Sequence, residues 1–256
     1  MGLSGFTRKD LLRHLEMLGV HKDMTLVVHS SLLAFGNLPG RQDTVYDVIR
    51  ELVGSLGTII VPTYTLTRDP DIPFRPSLDP PIGMGALSTY IFNMKDAVRV
   101  PNPIHSYAAI GPDAYKLKNV SIDKSFGSGS FFDLAIQENF YWLMLGCGID
   151  GCSLLHHTER IANVPYRKDV ILTRTIENLD KKVQTIQYLY YARESNLISN
   201  DFSSLENFMC GTGEMFSASA PYGKSLAGRA REIHKCGLKL LDSNPYEFCV
   251  NKAVLP

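Results

Sequence analysis

The sequence predicts an α/β fold, with a central mixed sheet flanked by helices and an antiparallel β insertion late in the chain. Short β-branched runs alternate with stretches of helical periodicity, as in proteins that pack helices against a sheet. Segments 170–177 and 183–190 alternate polar and apolar residues around Asn178-Leu179-Asp180, which is typical of an antiparallel pair. We therefore expect a single domain over 1–256, with an insertion at roughly 165–220.

Each element of this fold follows from a local pattern. Thr7 is a suitable N-cap for a helix over 7–18, whose leucines recur on one side. Asp43 is the predicted cap of the next helix, 44–53. Further helices are predicted at 84–92, 131–138, 153–162 and 223–242. Short apolar runs predict strands at 24–29, 57–63, 106–110 and 141–145.

The bulk composition is that of an ordinary soluble globular protein. Apolar residues make up 45% and charged residues 20%, and 26 basic residues balance 26 acidic ones. This balance argues against a nucleic-acid partner, and the absence of a long apolar run argues against a membrane span or signal peptide. The five cysteines are odd in number and loosely spaced, which favours a reduced, cytoplasmic protein.

The first candidate site is His29-Ser30-Ser31-Leu32, at the end of a predicted strand. Ligands bind at the carboxyl ends of strands in open α/β sheets, and hydroxyls with backbone N–H groups suit phosphate oxygens. A polar turn containing a hydrogen-bonded histidine would have the same sequence. The residues alone leave both interpretations open.

A glycine-rich turn, 146–151, follows the predicted strand Tyr-Trp-Leu-Met-Leu. Its sequence, GCGIDG, matches the dinucleotide pattern G-x-G-x-x-G. The motif lies past the middle of the chain rather than in a first βαβ unit, so a tight strand-to-helix turn is the favoured interpretation over an NAD site. A zinc site is also disfavoured, because the spacing of its candidate ligands fits no common pattern; these ligands are Cys147, Cys152, His156 and His157. A serine hydrolase is disfavoured by the absence of G-x-S-x-G.

His156 and Glu159 lie three residues apart in a predicted helix and therefore share one face. A carboxylate beside an imidazole fixes its tautomer and raises its basicity, as a general base requires. The spacing is also compatible with a chance ion pair on a surface helix, and it leaves that alternative open.

Taken together, these segments resemble the aminoglycoside 3-N-acetyltransferase-like family, also called the antibiotic N-acetyltransferase family. The resemblance extends from the first helix to about residue 230, and the order of the motifs makes it specific. These motifs are VVHSSLLAFG, GSLGTIIVPTYT, MGALSTYI, RVPNPIHSYAAIG, SFGSGSFFDL, LMLGCGIDGCSLLHHTE and VPYRK.

The resemblance implies acetyl-CoA as the donor, no metal, and direct transfer to an amine without a covalent enzyme intermediate. It identifies His156 as the catalytic base, Glu159 as its supporting acid and Ser153 as the hydroxyl that steadies the tetrahedral intermediate. It also implies coenzyme-binding residues, namely His29, Ser30, Ser31, Leu32 and Ser106. Three further residues are expected on the acceptor side, together with the insertion: Tyr64, Arg75 and His105.

Departures from the family pattern concern the acceptor. Arg75 stands where the family usually has an acid, and Asn102 replaces a histidine. A polycationic aminoglycoside favours carboxylates, so an amino sugar is the leading acceptor. An aminoglycoside substrate and a non-catalytic CoA- or nucleotide-binding protein remain as alternatives. The sequence shows no interface stripe, and a homodimer is left open.

Overall fold

A computed structural model describes residues 6–66, 69–177, 180–195 and 198–250. Its helices are α1 (Arg8–Met17), α2 (Arg41–Val53), α3 (Ala86–Phe92), α4 (Phe131–Gln137), α5 (Leu154–Ala162), α6 (Ser203–Thr212) and α7 (Ala230–Ser243). Its strands are β1 (Thr25–Ser30), β2 (Thr58–Pro62), β3 (Val98–Arg99), β4 (Tyr107–Ile110), β5 (Tyr141–Leu145), β6 (Arg167–Glu177), β7 (Val183–Arg193), β8 (Met215–Ala220) and β9 (Gly223–Arg229).

Seven strands form a mixed sheet in the order β3-β4-β2-β1-β5-β9-β8. Strands β2, β1 and β5 are parallel at its centre, and the flanking strands run antiparallel to their neighbours. Strands β6 and β7 pair with each other in a separate antiparallel sheet. This arrangement confirms the predicted mixed sheet and late antiparallel insertion.

Successive side chains of the central strands point to opposite faces of the sheet and join two apolar cores. Leu26 and Val28 pack with α1, α2 and α3 on one face. Val27 and Trp142 pack with α4, α5, α6 and α7 on the other. The sheet therefore lies between two layers of helices, and its buried central strands hold the loops at their ends in fixed positions.

Several local predictions are confirmed. Thr7 caps α1 in a reciprocal arrangement with Asp10. The pairing of 170–177 with 183–190 is present and extends further at one end, from Arg167 with Arg193. Of the turn between the two strands, Asn178 and Leu179 lie outside the described residues.

Other local predictions are wrong. Asp43 lies in the first turn of α2, whose N-cap is Gly40. Residues 223–229, predicted as helix, form β9, because pairing with β5 and β8 outweighs the weak local preference of a glycine-containing segment. Strand β8 also belongs to the main sheet, so within 165–220 the separate layer consists of the β6–β7 hairpin.

No helix in the described ranges is long and apolar enough to cross a membrane.

Candidate active site

The carboxyl ends of β1 and β5 lie side by side and carry the two main predicted motifs. The parallel register pairs His29 with Met144 and Ser30 with Leu145. Beyond β5, Gly146 has a φ of +73°, and a Cβ there would lie 2.6 Å from the Ser31 carbonyl oxygen. The glycine thus allows the two loops to touch and leads the chain into α5, which carries His156.

His156 is oriented by Glu159 one turn along α5. The Nδ1 atom of His156 lies 2.7 Å from Glu159 Oε2, and the imidazole keeps 31% of its side-chain surface exposed, whereas Glu159 is fully buried. An ionised carboxylate can only accept, so this bond places the proton on Nδ1. The Nε2 lone pair is left available to accept a proton from a substrate.

Residues from several elements surround the Glu159 carboxylate. Tyr166 donates a hydrogen bond to Oε1 at 2.8 Å and Asn200 donates one at 2.7 Å. Arg167 Nε lies 2.9 Å from Oε2 in an ion pair. Burial alone would raise the pKa of Glu159, but the neighbouring His156, Arg167 and Tyr166 outweigh burial and hold that pKa below its usual value. Glu159 is therefore a buried anion that accepts hydrogen bonds on both of its oxygens.

Aromatic and histidine rings also lie near His156. Phe126 and Phe202 contact its ring with centroid distances of 6.1 and 5.8 Å. His105 lies close enough for its pKa, lowered to about 3 chiefly by burial, to be lowered further by His156. The His105 ring contacts Tyr64 at 4.8 Å. Tyr64 and His105, both expected on the acceptor side, are thus placed together near the predicted base.

Ser153 stands at the start of α5, half-buried, as its N-cap. Burial raises the pKa of Tyr64, and hydrogen bonding with Ser153 and Tyr107 partly offsets this effect. Ser153 is therefore associated with the Tyr64 hydroxyl, within the same cluster as the acceptor-side rings. Its position is compatible with the predicted role at the tetrahedral intermediate, which stays a prediction.

His29 is buried beneath this cluster. Its ring stacks on Trp142 at 5.4 Å, and its Nε2 lies 3.5 Å from the Tyr107 hydroxyl. Burial lowers the pKa of His29 to about 3, so the ring is neutral. The geometry suits a support beneath the site better than a ligand for coenzyme phosphates.

Ser30, Ser31 and Leu32 line a cavity of about 520 Å³ together with residues at the starts of α2 and α3. Arg41 and Gln42 form part of the same lining. Hydroxyls and a guanidinium at a strand end suit an anionic, phosphate-bearing ligand. Three of the five predicted coenzyme residues thus line one cavity, and their role in coenzyme binding stays a prediction.

Ser106 lies elsewhere. It is fully buried, and its hydroxyl donates to the Val100 carbonyl at 2.8 Å while accepting hydrogen bonds from Thr63 and Arg99. With no exposed surface and a fully engaged hydroxyl, Ser106 is placed to tie β4 to β2 rather than to touch a coenzyme.

Arg75 is also separated from His156. Its guanidinium pairs with the buried Asp79 at 2.9 Å, and it lines a second cavity of about 920 Å³. Phe74, next to Arg75, forms an isolated β-bridge with Ile176 of β6. Ile176 lies nine residues from Arg167 along this strand, which corresponds to about 30 Å at the usual rise per residue. The expectation that Arg75 contacts the same acceptor as His156 is therefore not supported.

The glycine-rich turn and the cysteines bear on the dinucleotide and metal alternatives. Cys147 and Gly151 pack against each other in the glycine-rich turn, which thus serves internal packing rather than a dinucleotide. Burial raises the pKa of the Cys147 thiol to about 12. Over the described ranges no three His, Cys, Asp or Glu residues are grouped to hold a metal ion, and the five cysteines are unpaired.

Tyr166, Arg167 and Asn200 are polar contacts of Glu159 that the sequence did not predict. The first two lie in the VPYRK motif, which had no role attached to it. Asn200 lies 41 residues after Glu159 in the sequence, in an irregular segment without a motif. Only the fold brings its amide to the carboxylate.

Comparison with known proteins agrees with this architecture. A family model described as aminoglycoside 3-N-acetyltransferase matches residues 27–242. An aminoglycoside N(3)-acetyltransferase VIII of Streptomyces fradiae is 32% identical over 184 residues, and the match covers 64% of this chain and 64% of that protein. An aminoglycoside N(3)-acetyltransferase III of a Salmonella species is 28% identical over 63% of each chain. The chain thus matches somewhat less than two thirds of these relatives' length.

Solved structures with the same fold cover nearly the whole chain. Aminoglycoside acetyltransferase AAC(3)-IIb superposes with a TM-score of 0.82 at 22% identity, covering 94% of this chain and 98% of the other. AAC-IIIb in a binary complex with CoASH gives 0.78 at 21% identity, covering 93% and 96%.

Proposed function

This chain belongs to the aminoglycoside 3-N-acetyltransferase family, and we propose that it transfers an acetyl group from acetyl-CoA to a primary amine of an amino sugar. The observation that carries the proposal is the hydrogen bond of 2.7 Å between His156 Nδ1 and the buried Glu159. It leaves Nε2 of a half-exposed imidazole as a base, on the helix that follows β5. The neighbouring strand β1 ends at Ser30, which lines the 520 Å³ cavity that we call the coenzyme cavity.

In the proposed reaction the amine nitrogen attacks the thioester carbon and His156 Nε2 takes a proton from it. The carbon–nitrogen bond forms, the carbon–sulfur bond breaks, and the coenzyme leaves as a thiolate. In this proposal Ser153 supplies a hydroxyl that stabilises the oxyanion. Since the base acts on the amine itself, the transfer needs no covalent intermediate.

The coenzyme cavity supports acetyl-CoA as the donor. Ser30 and Ser31 offer hydroxyls, and Arg41 offers a cation that suits phosphate oxygens. The solved relative with CoASH bound shares this fold at 21% identity.

The rings around His156 favour a singly charged amino sugar over a polycation. Phe126, Phe202, His105 and Tyr64 are uncharged groups near the base, and the Glu159 carboxylate is buried and already paired. Sugar faces pack well on aromatic rings, whereas several ammonium groups favour exposed carboxylates.

Aminoglycosides are the second candidate acceptor. The names of the Streptomyces fradiae and Salmonella relatives, and a related structure with sisomicin bound, favour them. Tobramycin is therefore a necessary acceptor in any assay.

The test measures thiol release from acetyl-CoA with glucosamine, aminosugar nucleotides and tobramycin as acceptors. Replacing His156 with Ala should reduce kcat by about 10²- to 10⁴-fold, the usual contribution of a general base, with CoA affinity unchanged. His21→Ala is the control, because His21 is exposed and lies outside the site. Near-normal turnover in His156→Ala would overturn the proposed base, and CoA binding without turnover on any acceptor would favour a binding protein.

A further inference from the structure

We propose that the cavity of about 920 Å³ beside Arg75 is a second ligand site, and that it binds a small anionic amphiphile with an aliphatic body and a carboxylate or phosphate head. We call it the basic cavity. It shares no lining residue with the coenzyme cavity of about 520 Å³ or with the groups around His156. Ligand binding there therefore does not depend on the proposed acetyl transfer.

The basic cavity lies at the edge of the main sheet, where β3 is the last strand. Val98 of β3 lines it on this side, and Ile176 lines it from the far end of the β6–β7 hairpin. Arg167, which contacts His156 at 3.1 Å, lies nine residues from Ile176 along β6, or about 30 Å at the usual rise. An acceptor bound at His156 would therefore leave the basic cavity unfilled.

The lining of this cavity is strongly positive, although the chain as a whole carries 26 basic and 26 acidic residues. Five basic residues line the cavity, and Glu177 is the acidic residue among them. They come from five separate segments of the chain, so the fold brings them together. Such a concentration of one charge in a concave site attracts anions. The five are Arg75, Lys95, Arg99, Lys118 and Lys181.

The two arginines are occupied by the protein itself. Arg75 pairs with the buried carboxylate of Asp79 at 2.9 Å. The Arg99 guanidinium donates to the Pro76 carbonyl at 3.0 Å, and it also donates to the carbonyl of Asp79. Both arginines thus hold the loop that follows Phe74 against the sheet edge, and the positive groups left for a ligand are the lysines.

The rim lysines, Lys95, Lys118 and Lys181, are exposed at the mouth of the cavity. Within the described ranges none of the three forms an ion pair or a side-chain hydrogen bond. An ammonium group on a flexible stem can turn toward a carboxylate or a phosphate without breaking a contact of the protein. We therefore assign the anionic head of the ligand to these three residues.

The interior of the cavity is apolar. Ala108 and Ile176 are buried, and Met94, Val98 and Ile122 are half-buried side chains that also line the cavity. A small inorganic anion would leave this surface in contact with water, whereas an apolar body would cover it and gain free energy from its burial. The ligand is therefore amphiphilic, with its charge at the rim and its body inside.

The interior suits an alkyl chain better than a nucleotide base. Phe92 provides the one aromatic ring among the described residues that line the cavity, and the Arg99 guanidinium lies over it, 4.9 Å from its centroid. A base would need an open aromatic face for stacking. Aliphatic side chains offer dispersion contacts to a chain of methylene groups instead.

The test is carbon-13 NMR of methionine methyl groups in the whole protein. Met94 lines the basic cavity and Met84 lines the coenzyme cavity, so their signals, assigned with Met94→Leu and Met84→Leu, report on the two sites separately. Octanoate and octyl phosphate should shift the Met94 signal and leave the Met84 signal in place. Acetate lacks the chain and octan-1-ol lacks the charge, so each should bind at least about tenfold more weakly.

Replacing the three rim lysines together, as Lys95→Gln, Lys118→Gln and Lys181→Gln, should weaken octanoate binding at least about tenfold at low ionic strength. This corresponds to about two- to fivefold for each exposed charge contact. The affinity of wild type for octanoate should also fall as salt is added, because salt screens exposed charges.

The matched control removes the same charge from three exposed lysines outside the cavity and should change the affinity less than about twofold. It combines Lys9→Gln, Lys22→Gln and Lys235→Gln.

Three results would overturn the inference: an unshifted Met94 signal at millimolar octanoate and octyl phosphate, a shift of Met84 in place of Met94, or equal weakening in the two triple variants. CoA should shift Met84 and leave Met94 unchanged. If CoA shifts neither signal, the coenzyme cavity of the proposed function fails, while the octanoate titration of Met94 still decides whether the basic cavity binds its ligand.

Discussion

Replacing Glu159 with Gln tests the central pair most directly, because it keeps the shape of the side chain and removes its charge. In wild type the carboxylate accepts from Tyr166 and Asn200 on one oxygen and faces His156 and Arg167 on the other. A glutamine places an N–H₂ group on one of these sides. On one side the amide N–H₂ group would face the donors of Tyr166 and Asn200. On the other side it would donate to His156 Nδ1, so the imidazole proton would move to Nε2.

The magnitude follows from burial. Removing one partner of a buried ion pair costs about 3 kcal/mol or more, and Arg167 at 7% exposure would keep an unpaired charge. For a chain of this length about 3 kcal/mol lowers Tm by roughly 10 °C. A histidine held in the wrong tautomer loses about 10³- to 10⁴-fold in kcat.

This stability difference should also depend on pH. The pKa of Glu159 in the folded protein lies below its ordinary 4.5, so its contribution is fully present above pH 4.5 and is lost as the pH falls toward the folded pKa. The gap between wild type and Glu159→Gln should therefore be constant near neutral pH and narrow below about pH 4.5.

The assay pairs thermal unfolding with thiol release at pH 7.5. Glu138→Gln is the control, because Glu138 forms an exposed ion pair with Lys116 and should cost at most about 1 kcal/mol. A folded Glu159→Gln protein that keeps more than a tenth of wild-type kcat would refute the assignment of Glu159 as the support of His156. An unchanged Tm would refute the argument from burial.

Three further outcomes are expected. His29 and His105 have pKa values of about 3 in the folded protein and 6.5 when unfolded, so the protein takes up protons when it unfolds below pH 6.5. The free energy of unfolding from urea titrations should therefore be about 3 kcal/mol lower at pH 5.5 than at pH 8. Equal values at the two pH values would contradict the burial of these rings. Gly146→Ala should lower Tm and weaken CoA binding much more than Gly54→Ala does. Both glycines have a positive φ, but only Gly146 lacks space for a Cβ. Equal effects of the two substitutions would mean that the contact of Gly146 with Ser31 is unimportant. Ser153→Ala, measured by thiol release, should lower kcat about 10- to 10³-fold and leave the KM for acetyl-CoA little changed. A change confined to that KM would instead assign Ser153 to the binding of acetyl-CoA.

The central part of the fold could be predicted because its sequence signals are local. The runs ending at His29 and Leu145 are apolar enough to be recognised as buried strands, and Thr7 carries an N-cap signal. The β9 strand could not be predicted, since 223–229 becomes a strand through hydrogen bonds to β5, which lies about 80 residues earlier. Pairing over such distances leaves little trace in a window of a few residues.

The same distinction applies to the candidate site. His156 and Glu159 are three residues apart, so helical periodicity alone places them on one face. Arg75 was expected nearby because of its place in a motif, but the chain carries it to the far end of the β6–β7 hairpin. Asn200 shows the opposite case, in which a residue without any motif reaches the carboxylate. Contacts between distant segments depend on the path of the chain, which the order of motifs does not specify.

The hairpin of β6 and β7 hydrogen-bonds to itself as a separate sheet, while the loop after β1 and the helix after β5 are joined through the main sheet. Its Tyr190 ring lies parallel to that of His105, 6.1 Å away. The hairpin should therefore tolerate substitutions at some positions and not at others. Side chains along most of the hairpin can change size and polarity without shifting the backbone register that aligns the Ser30 loop with His156, whereas Arg167 at its first position cannot. Hairpin positions beside His105, such as Tyr190, are thus the natural place for a library that tests the proposed acceptor preference.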